Sequence, residues 1–418
     1  MRAEIVSIGT ELLLGQIVDT NAAYMAQKLS EIGYDAHFRQ TVGDNHRRAV
    51  QAVALAIERA DVVLISGGLG PTEDDITRDV VAAAVGAPLE VSEEAASQVE
   101  DYFRRLGREM IPSQRRQALI PQGGHVIPNR LGTAPGFAWE GQGKAVVALP
   151  GVPRELRAMM EGWVIPYLRE RARRLAGVEG IVFSRTLRFV GVGEAALEQV
   201  LIDLIHQREN PTLATYAGTG EVSLRITARA RDEGEARALI APVERAVLER
   251  AGAFCYGFDA DTLESAVVTL LSRRNWKLAV AESCTGGLVG DRLTNVPGVS
   301  AYLLEDVVAY SNEAKIHRLG VDPEVIRLHG AVSEACARAM AEGVRGTSGA
   351  DAGLAVTGVA GPGGGSAEKP VGLVFMAVAL PSGTQVERHQ FAGDRLQVKQ
   401  RAATAALDLL RRGLLGAG

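Results

Sequence analysis

Cysteine is scarce: the 418 residues contain three, Cys255, Cys284 and Cys336. An odd number at wide spacing excludes a disulfide framework, matches no familiar zinc-ligand spacing, and suits a reducing compartment. The seven histidines form no close pair of the H-x-x-x-H kind. No uninterrupted apolar run approaches the roughly 18 residues that span a bilayer. A basic surplus is also lacking. Lys and Arg total 45 against 50 Asp and Glu, a formal net charge of -5, whereas nucleic-acid binders normally carry the opposite balance. Residues Met1 to Gly9 place Arg2 and Glu4 around a short apolar stretch with no cleavage pattern after it. A buried first strand is expected there, not a signal peptide. The expected location is the cytoplasm, with no nucleic acid and no membrane as partner.

What is present is the composition of an ordinary globular protein, 47% hydrophobic and 23% charged. Its length fits two or three domains. From the start to about residue 168, apolar runs such as Asp61-Ile65 alternate with helical patterns such as Arg47-Arg59. Such alternation predicts a mainly parallel sheet covered on both faces. Residues 169–257 differ, with paired strands at Leu213-Tyr216 and Glu221-Ala230 joined by Ala217-Gly218-Thr219-Gly220, in the manner of a hairpin. Gly191-Val192-Gly193 reads as a turn before a helix. The basic run Arg169, Arg171, Arg173 and Arg174 reads as one solvated helix face. From Thr262 a second strand-and-helix alternation begins. The predicted fold class is therefore α/β: two layered α/β domains, 1–168 and 258–418, joined by a small α+β module, 169–257.

In the last domain, Ala281-Glu282-Ser283-Cys284-Thr285-Gly286-Gly287 lies between a predicted strand and a helix. Glycines let main-chain amides approach a ligand there, and a helix N-terminus favours an anion. Ser283 or Thr285 serves equally as a helix cap. Two further polar turns follow predicted strands, Tyr310-Ser311-Asn312-Glu313-Ala314-Lys315 and Thr357-Gly358-Val359-Ala360-Gly361-Pro362-Gly363-Gly364-Gly365. Turns at the same end of several parallel strands can surround one ligand. A serine needs a base to become nucleophilic, and His317, His329 and His389 all lie in ordinary helix or strand patterns. A lysine with a lowered pKa can take that role. Lys315 is the candidate, since it sits in a polar turn; the competing reading is a helix-surface cation.

These segments, with Gly330-Ala331-Val332-Ser333 and Lys369-Pro370-Val371-Gly372, resemble the nicotinamide-nucleotide amidase domain of the CinA family. The resemblance implies hydrolysis of the carboxamide of nicotinamide mononucleotide to nicotinate mononucleotide and ammonia, with no cofactor. It implies Ser283 as nucleophile, Lys315 as general base and Tyr310 assisting proton transfer. Amides of Gly286, Gly287, Gly358 and Gly361, hydroxyls of Thr285 and Thr357, and Asn312 would contact the substrate.

Near the other end, Ser66-Gly67-Gly68-Leu69-Gly70-Pro71-Thr72-Glu73-Asp74-Asp75 follows a predicted strand and leads into a helix. Gly67, Gly68, Gly70 and Thr72 suit phosphate binding, and Asp74 and Asp75 suit a divalent cation or a helix N-terminus. Asp44, after the strand Asp35-Val42, points to more carboxylates at the same edge. With Leu149-Pro150-Gly151-Val152-Pro153, this region resembles the molybdopterin-binding fold. It is closer to the first domain of CinA proteins, through Gly9-Thr10-Glu11-Leu12-Leu13-Leu14-Gly15 and Asp19-Thr20-Asn21. That resemblance implies metal-dependent hydrolysis of ADP-ribose to AMP and ribose 5-phosphate, Asp75, Asp74 and Asp44 holding a divalent metal ion, and a homodimer. Leu69 stands where molybdenum-cofactor enzymes have threonine, which weakens a molybdopterin-handling reading. A competence or DNA-uptake scaffold is the non-enzymatic alternative.

Overall fold

The computed structural model describes residues 1–176, 181–206 and 209–416. The chain divides into two compact units, Met1–Phe183 with Ala228–Arg237, and Ser184–Thr227 with Ala238–Gly418. The first contains strands β1 (Arg2–Ile8), β2 (Asp35–Val42), β3 (Val62–Ser66), β4 (Leu89–Val91), β5 (Leu119–Pro121), β6 (His125–Ile127), β7 (Gly136–Gly141) and β8 (Lys144–Leu149). Six form a sheet in the order β2-β1-β3-β8-β7-β6, while β4 and β5 pair separately. The pairings of β1 with β2 and β3, and of β3 with β8, are parallel. Those of β7 with β8 and β6 are antiparallel. The expected mainly parallel sheet thus has an antiparallel edge. Its cause is local: Gln142 and Gly143 both adopt positive φ, the geometry that closes a two-residue hairpin.

Strand β3 is buried along its whole length because helices cover both faces of the sheet. Ile5, Leu64 and Val147 pack with Met25, Leu29, Leu156 and Met160 on one side. Val6, Ile65 and Val146 pack with Val53, Ala56, Val80 and Val81 on the other. Each of the larger side chains contributes about 1.5–3 kcal/mol on burial. The basic run does not behave as one solvated face. Arg171 is buried, and its guanidinium donates to Glu140 at 3.0 Å and to the Gly143 carbonyl at 2.5 Å. Helix spacing turned that one arginine inward, onto a carboxylate that offsets its desolvation.

The α+β module is a four-stranded sheet in the order β10-β11-β9-β12, built from β9 (Ile181–Val190), β10 (Thr212–Ala217), β11 (Glu221–Ala230) and β12 (Cys255–Phe258). Val222, Leu224, Ile226 and Ala228 alternate inward along β11, as a sheet with one covered face requires.

The last domain carries β13 (Leu278–Glu282), β14 (Leu303–Val308), β15 (Ala352–Gly358), β16 (Leu373–Leu380) and β17 (Gly383–Gln390), in the order β14-β13-β15-β16-β17. Strand β13 runs parallel to both neighbours, while β16 and β17 add antiparallel. Helices Leu263–Arg274, Leu288–Thr294 and Arg395–Gly416 cover one face, and Glu334–Ser348 the other. The carboxyl ends of β14, β13 and β15 therefore open at one edge, where doubly covered sheets bind ligands. Among the described residues no helix is long and apolar enough to cross a membrane.

Candidate active site

Ser283 is the first residue beyond β13, anchored by its amide to the Val356 carbonyl of β15 at 3.0 Å. The chain then turns through Gly286 and Gly287, with φ of 63° and 92°, a region that only glycine enters without strain. Lys315 lies in the helix Asn312–Leu319, capped by Ser311 and directed inward, so it is neither in a turn nor on a helix surface. Only 1% of it is exposed. Its Nζ donates to Ser283 Oγ at 3.0 Å, to the Ala309 carbonyl at 2.8 Å and to the Tyr310 carbonyl at 3.3 Å. None of the three acceptors is a carboxylate. Burial therefore holds the Lys315 pKa below the ordinary lysine value. As a neutral amine, Lys315 keeps two N–H groups for the carbonyls and turns its lone pair to the serine proton.

Neither Ser283 nor Thr285 caps the next helix. That task falls to Glu282, whose carboxylate accepts from Gly287 N at 2.9 Å and Gly290 N at 2.8 Å. The Gly287 amide is thereby occupied and is not free for substrate, which corrects the role expected of it. The Gly286 position faces Lys399, whose Nζ would lie 3.6 Å from a Cβ placed there. The Thr285 hydroxyl is buried with no partner. Thr357 is already engaged, its hydroxyl donating to the Ala331 carbonyl at 2.8 Å. It ties β15 to the segment before helix Glu334–Ser348 and offers no free donor. Gly358 is a packing residue, since a Cβ would come within 2.7 Å of the Leu373 carbonyl.

Tyr310 contributes its carbonyl to Lys315, while its exposed ring directs the hydroxyl to Arg395, which donates to it at 3.0 Å. Arg395 also donates to the Gly361 carbonyl at 2.7 Å. Asn312 is exposed at the first position of its helix. Arg395 and Lys399, one turn apart on the last helix, bring two cations to this edge that sequence reasoning passed over. Their i, i+4 spacing was the available signal.

At the other crevice, Gly67 and Gly68 take φ of 102° and 63°, and a Cβ on Gly67 would stand 2.2 Å from the Ile8 carbonyl. Asn21 bridges Ser66 Oγ at 3.1 Å and the Gly151 carbonyl at 2.7 Å. Arg78, buried, donates to the Leu69 carbonyl at 2.6 Å beneath this loop, and its Nε has no partner. Burial pulls its pKa down to about 10. The following helix begins at Thr77, later than expected, so neither aspartate caps it. Asp75 instead accepts from the amide and hydroxyl of Thr72, at 2.8 and 2.6 Å. Its carboxylate also lies where a Gly70 Cβ would fall, 2.5 Å from it. Asp44 accepts from the Thr10 amide at 2.9 Å, and Asp74 is exposed. Among the described residues no three His, Cys, Asp or Glu side chains gather into a metal site. Asp44, Asp74 and Asp75 thus do not assemble the expected metal centre: Asp75 braces its own loop, and Asp44 ties the turn after β2 to Thr10.

Comparison with known proteins adds to this geometry. Residues 260–414 match the family model described as the CinA C-terminal domain, 184–257 the Damage-inducible protein CinA KH domain, and 4–170 a probable molybdopterin binding domain. A putative competence-damage inducible protein of Symbiobacterium thermophilum is 49% identical over 100% of this chain and 99% of its own. The chain belongs to the CinA family. A CinA-like protein of Gloeobacter violaceus is 48% identical, covering 99% of this chain and 96% of its own length. A solved CinA structure from Thermoplasma acidophilum is 35% identical, covers 38% of this chain and 94% of that one, and has a TM-score of 0.37. In this CinA chain the KH-matched segment contains no G-x-x-G sequence, the loop with which KH modules clamp nucleotides.

Proposed function

We propose that the last domain is an amidohydrolase acting on nicotinamide mononucleotide. The observation that carries this reading is the buried, carboxylate-free contact of Lys315 Nζ with Ser283 Oγ at 3.0 Å. Neutral Lys315 takes the serine proton as Oγ attacks the carboxamide carbon. Main-chain amides of the turn after Ser283 face the oxyanion that forms. Lys315 then returns the proton to the departing nitrogen, which leaves as ammonia. Water attacks the resulting ester, frees the carboxylate product and restores the serine. Arg395 and Lys399 supply positive charge for the substrate phosphate at the same edge.

A second reading concerns the first domain, where the Gly67-Gly68 turn over buried Arg78 favours a phosphorylated ligand. ADP-ribose, cleaved to AMP and ribose 5-phosphate, is the substrate proposed. Because the aspartates there do not converge, no step is assigned to a metal. A homodimer is part of the same proposal and is checked by light scattering.

The test is to incubate the protein with nicotinamide mononucleotide and with ADP-ribose, each with and without divalent metal, beside Ser283→Ala. Ammonia release is expected to fall by several orders of magnitude in the variant, while AMP release continues. Ammonia within tenfold of the unaltered protein removes the amidase assignment.

A further inference from the structure

Two carboxyl groups, Glu282 and Asp306, meet beneath the turn that carries Ser283, and the chemistry above uses neither. Glu282 ends β13, fully buried, with both oxygens held by the amides of Gly287 and Gly290. Asp306 stands on β14 opposite Val280 in the parallel register, so its side chain shares a face with Val280 and Glu282. Its carboxylate lies beside Gly290, whose amide donates to Glu282 at 2.8 Å. Oδ1 is buried without a partner, and Oδ2 lies 2.1 Å from where a Gly290 Cβ would be. A side chain at position 290 would displace the Asp306 carboxylate.

Among the described residues no cation answers this pair. On helix Leu288–Thr294, Arg292 is committed to Glu264, Glu221 and Thr404, and Asp291 is exposed. On the last helix, Lys399 sits over Gly286. Lys315 is bound to Ser283 and two carbonyls. From β15 the buried neighbours of β13 are Leu354 and Val356, both apolar. A carboxylate placed beside another without a counter-ion is disfavoured in its charged form. Burial first, and the Glu282 charge second, push Asp306 up to about 7.

We propose that Glu282 and Asp306 share one proton and together position the Ser283 turn, Asp306 acting through Glu282 as a positioning residue. The inference rests on the amidase reading for its consequence, not for its physics. With the proton in place, a hydrogen bond joins the acids, and Glu282 stays on the amides of Gly287 and Gly290. Loss of that proton sets two negative charges against each other. Strand β14 is at the sheet edge, so Asp306 moves outward or Glu282 slips off its amides. Glu282 is bonded directly to Ser283, and a misplacement of about 1 Å at a reacting group costs on the order of a hundredfold in rate. The turn is therefore ordered on the acid side, while Lys315 works on the alkaline side.

The experiment compares the full chain with Asp306→Asn, in which an amide donates permanently to Glu282. Infrared spectra between about pH 6 and about pH 9 are expected to contain a protonated-carboxyl band in the unaltered protein that fades with rising pH and is missing from D306N. In the pH profile of ammonia release, the unaltered protein is expected to decline above neutrality. D306N should keep rising with Lys315 deprotonation, improving its alkaline-to-acid ratio about tenfold, the effect of one pKa unit. An unaltered protein with no titrating carboxyl band, or a D306N profile that overlays it, overturns the proposal. If neither protein releases ammonia but the band behaves as expected, the proton-sharing pair stands and the amidase reading fails.

Discussion

Lys315 illustrates what burial does to a single residue. Its ammonium finds three oxygen acceptors and no negative charge, so desolvation is uncompensated and the neutral form gains. With a depressed pKa, the fraction of neutral amine rises with pH through a value below that of free lysine. In Asp306→Asn, where no carboxyl pair opposes it, the rate of ammonia release is expected to climb across the same window. Lys315→Arg retains the charge but cannot deprotonate. That variant should lose at least about a hundredfold, the low end of what a general base contributes, with no rising limb in its pH profile. Turnover by K315R with an unchanged profile would place the base elsewhere.

Among elements, the decisive ones are the turns that follow parallel strands, because there the main chain approaches closely enough that side chains are excluded. The loop after β3 is the clearest case. Gly67 lies at positive φ, and a Cβ would collide with the Ile8 carbonyl of β1, a main-chain atom that cannot rotate away. Gly67→Ala should cost at least about 1–3 kcal/mol in local strain and open the crevice, lowering ADP-ribose affinity while leaving ammonia release intact. Isothermal titration beside the ammonia assay checks both halves. The glycines were visible in the sequence as a phosphate-type loop. The role of Asp75 was not, because a carboxylate near a helix start reads alike as cap, metal ligand or loop brace. In the structure Thr72 donates to it twice, as a loop brace requires.

For the whole molecule, charge balance is the property that matters for partners. A net charge of -5 and a KH-matched segment without its nucleotide-clamping loop give duplex DNA little to bind. Affinity at physiological salt is expected to be no tighter than the nonspecific range, about 10⁻⁴ to 10⁻⁶ M, measurable by fluorescence anisotropy across a salt series. Tight binding that collapses steeply with added salt would favour the scaffold alternative over an enzyme.

The amino-acid order alone determined the alternation of strands and helices, the glycine turns, and the candidates Ser283 and Lys315, since periodicity and turn chemistry are local. It also carried the family resemblance. Tertiary structure alone decided which groups meet. Lys315 lies in a polar stretch for which the sequence also allows a surface cation, and only the packing of Asn312–Leu319 against helix Glu334–Ser348 turned it inward. Arg395 reaches Tyr310 and Gly361 because the last helix begins at the open edge. Asp306 and Glu282 share one face because two strands run parallel in one register. Contacts between residues far apart in the chain depend on how layers stack, and no local pattern encodes that.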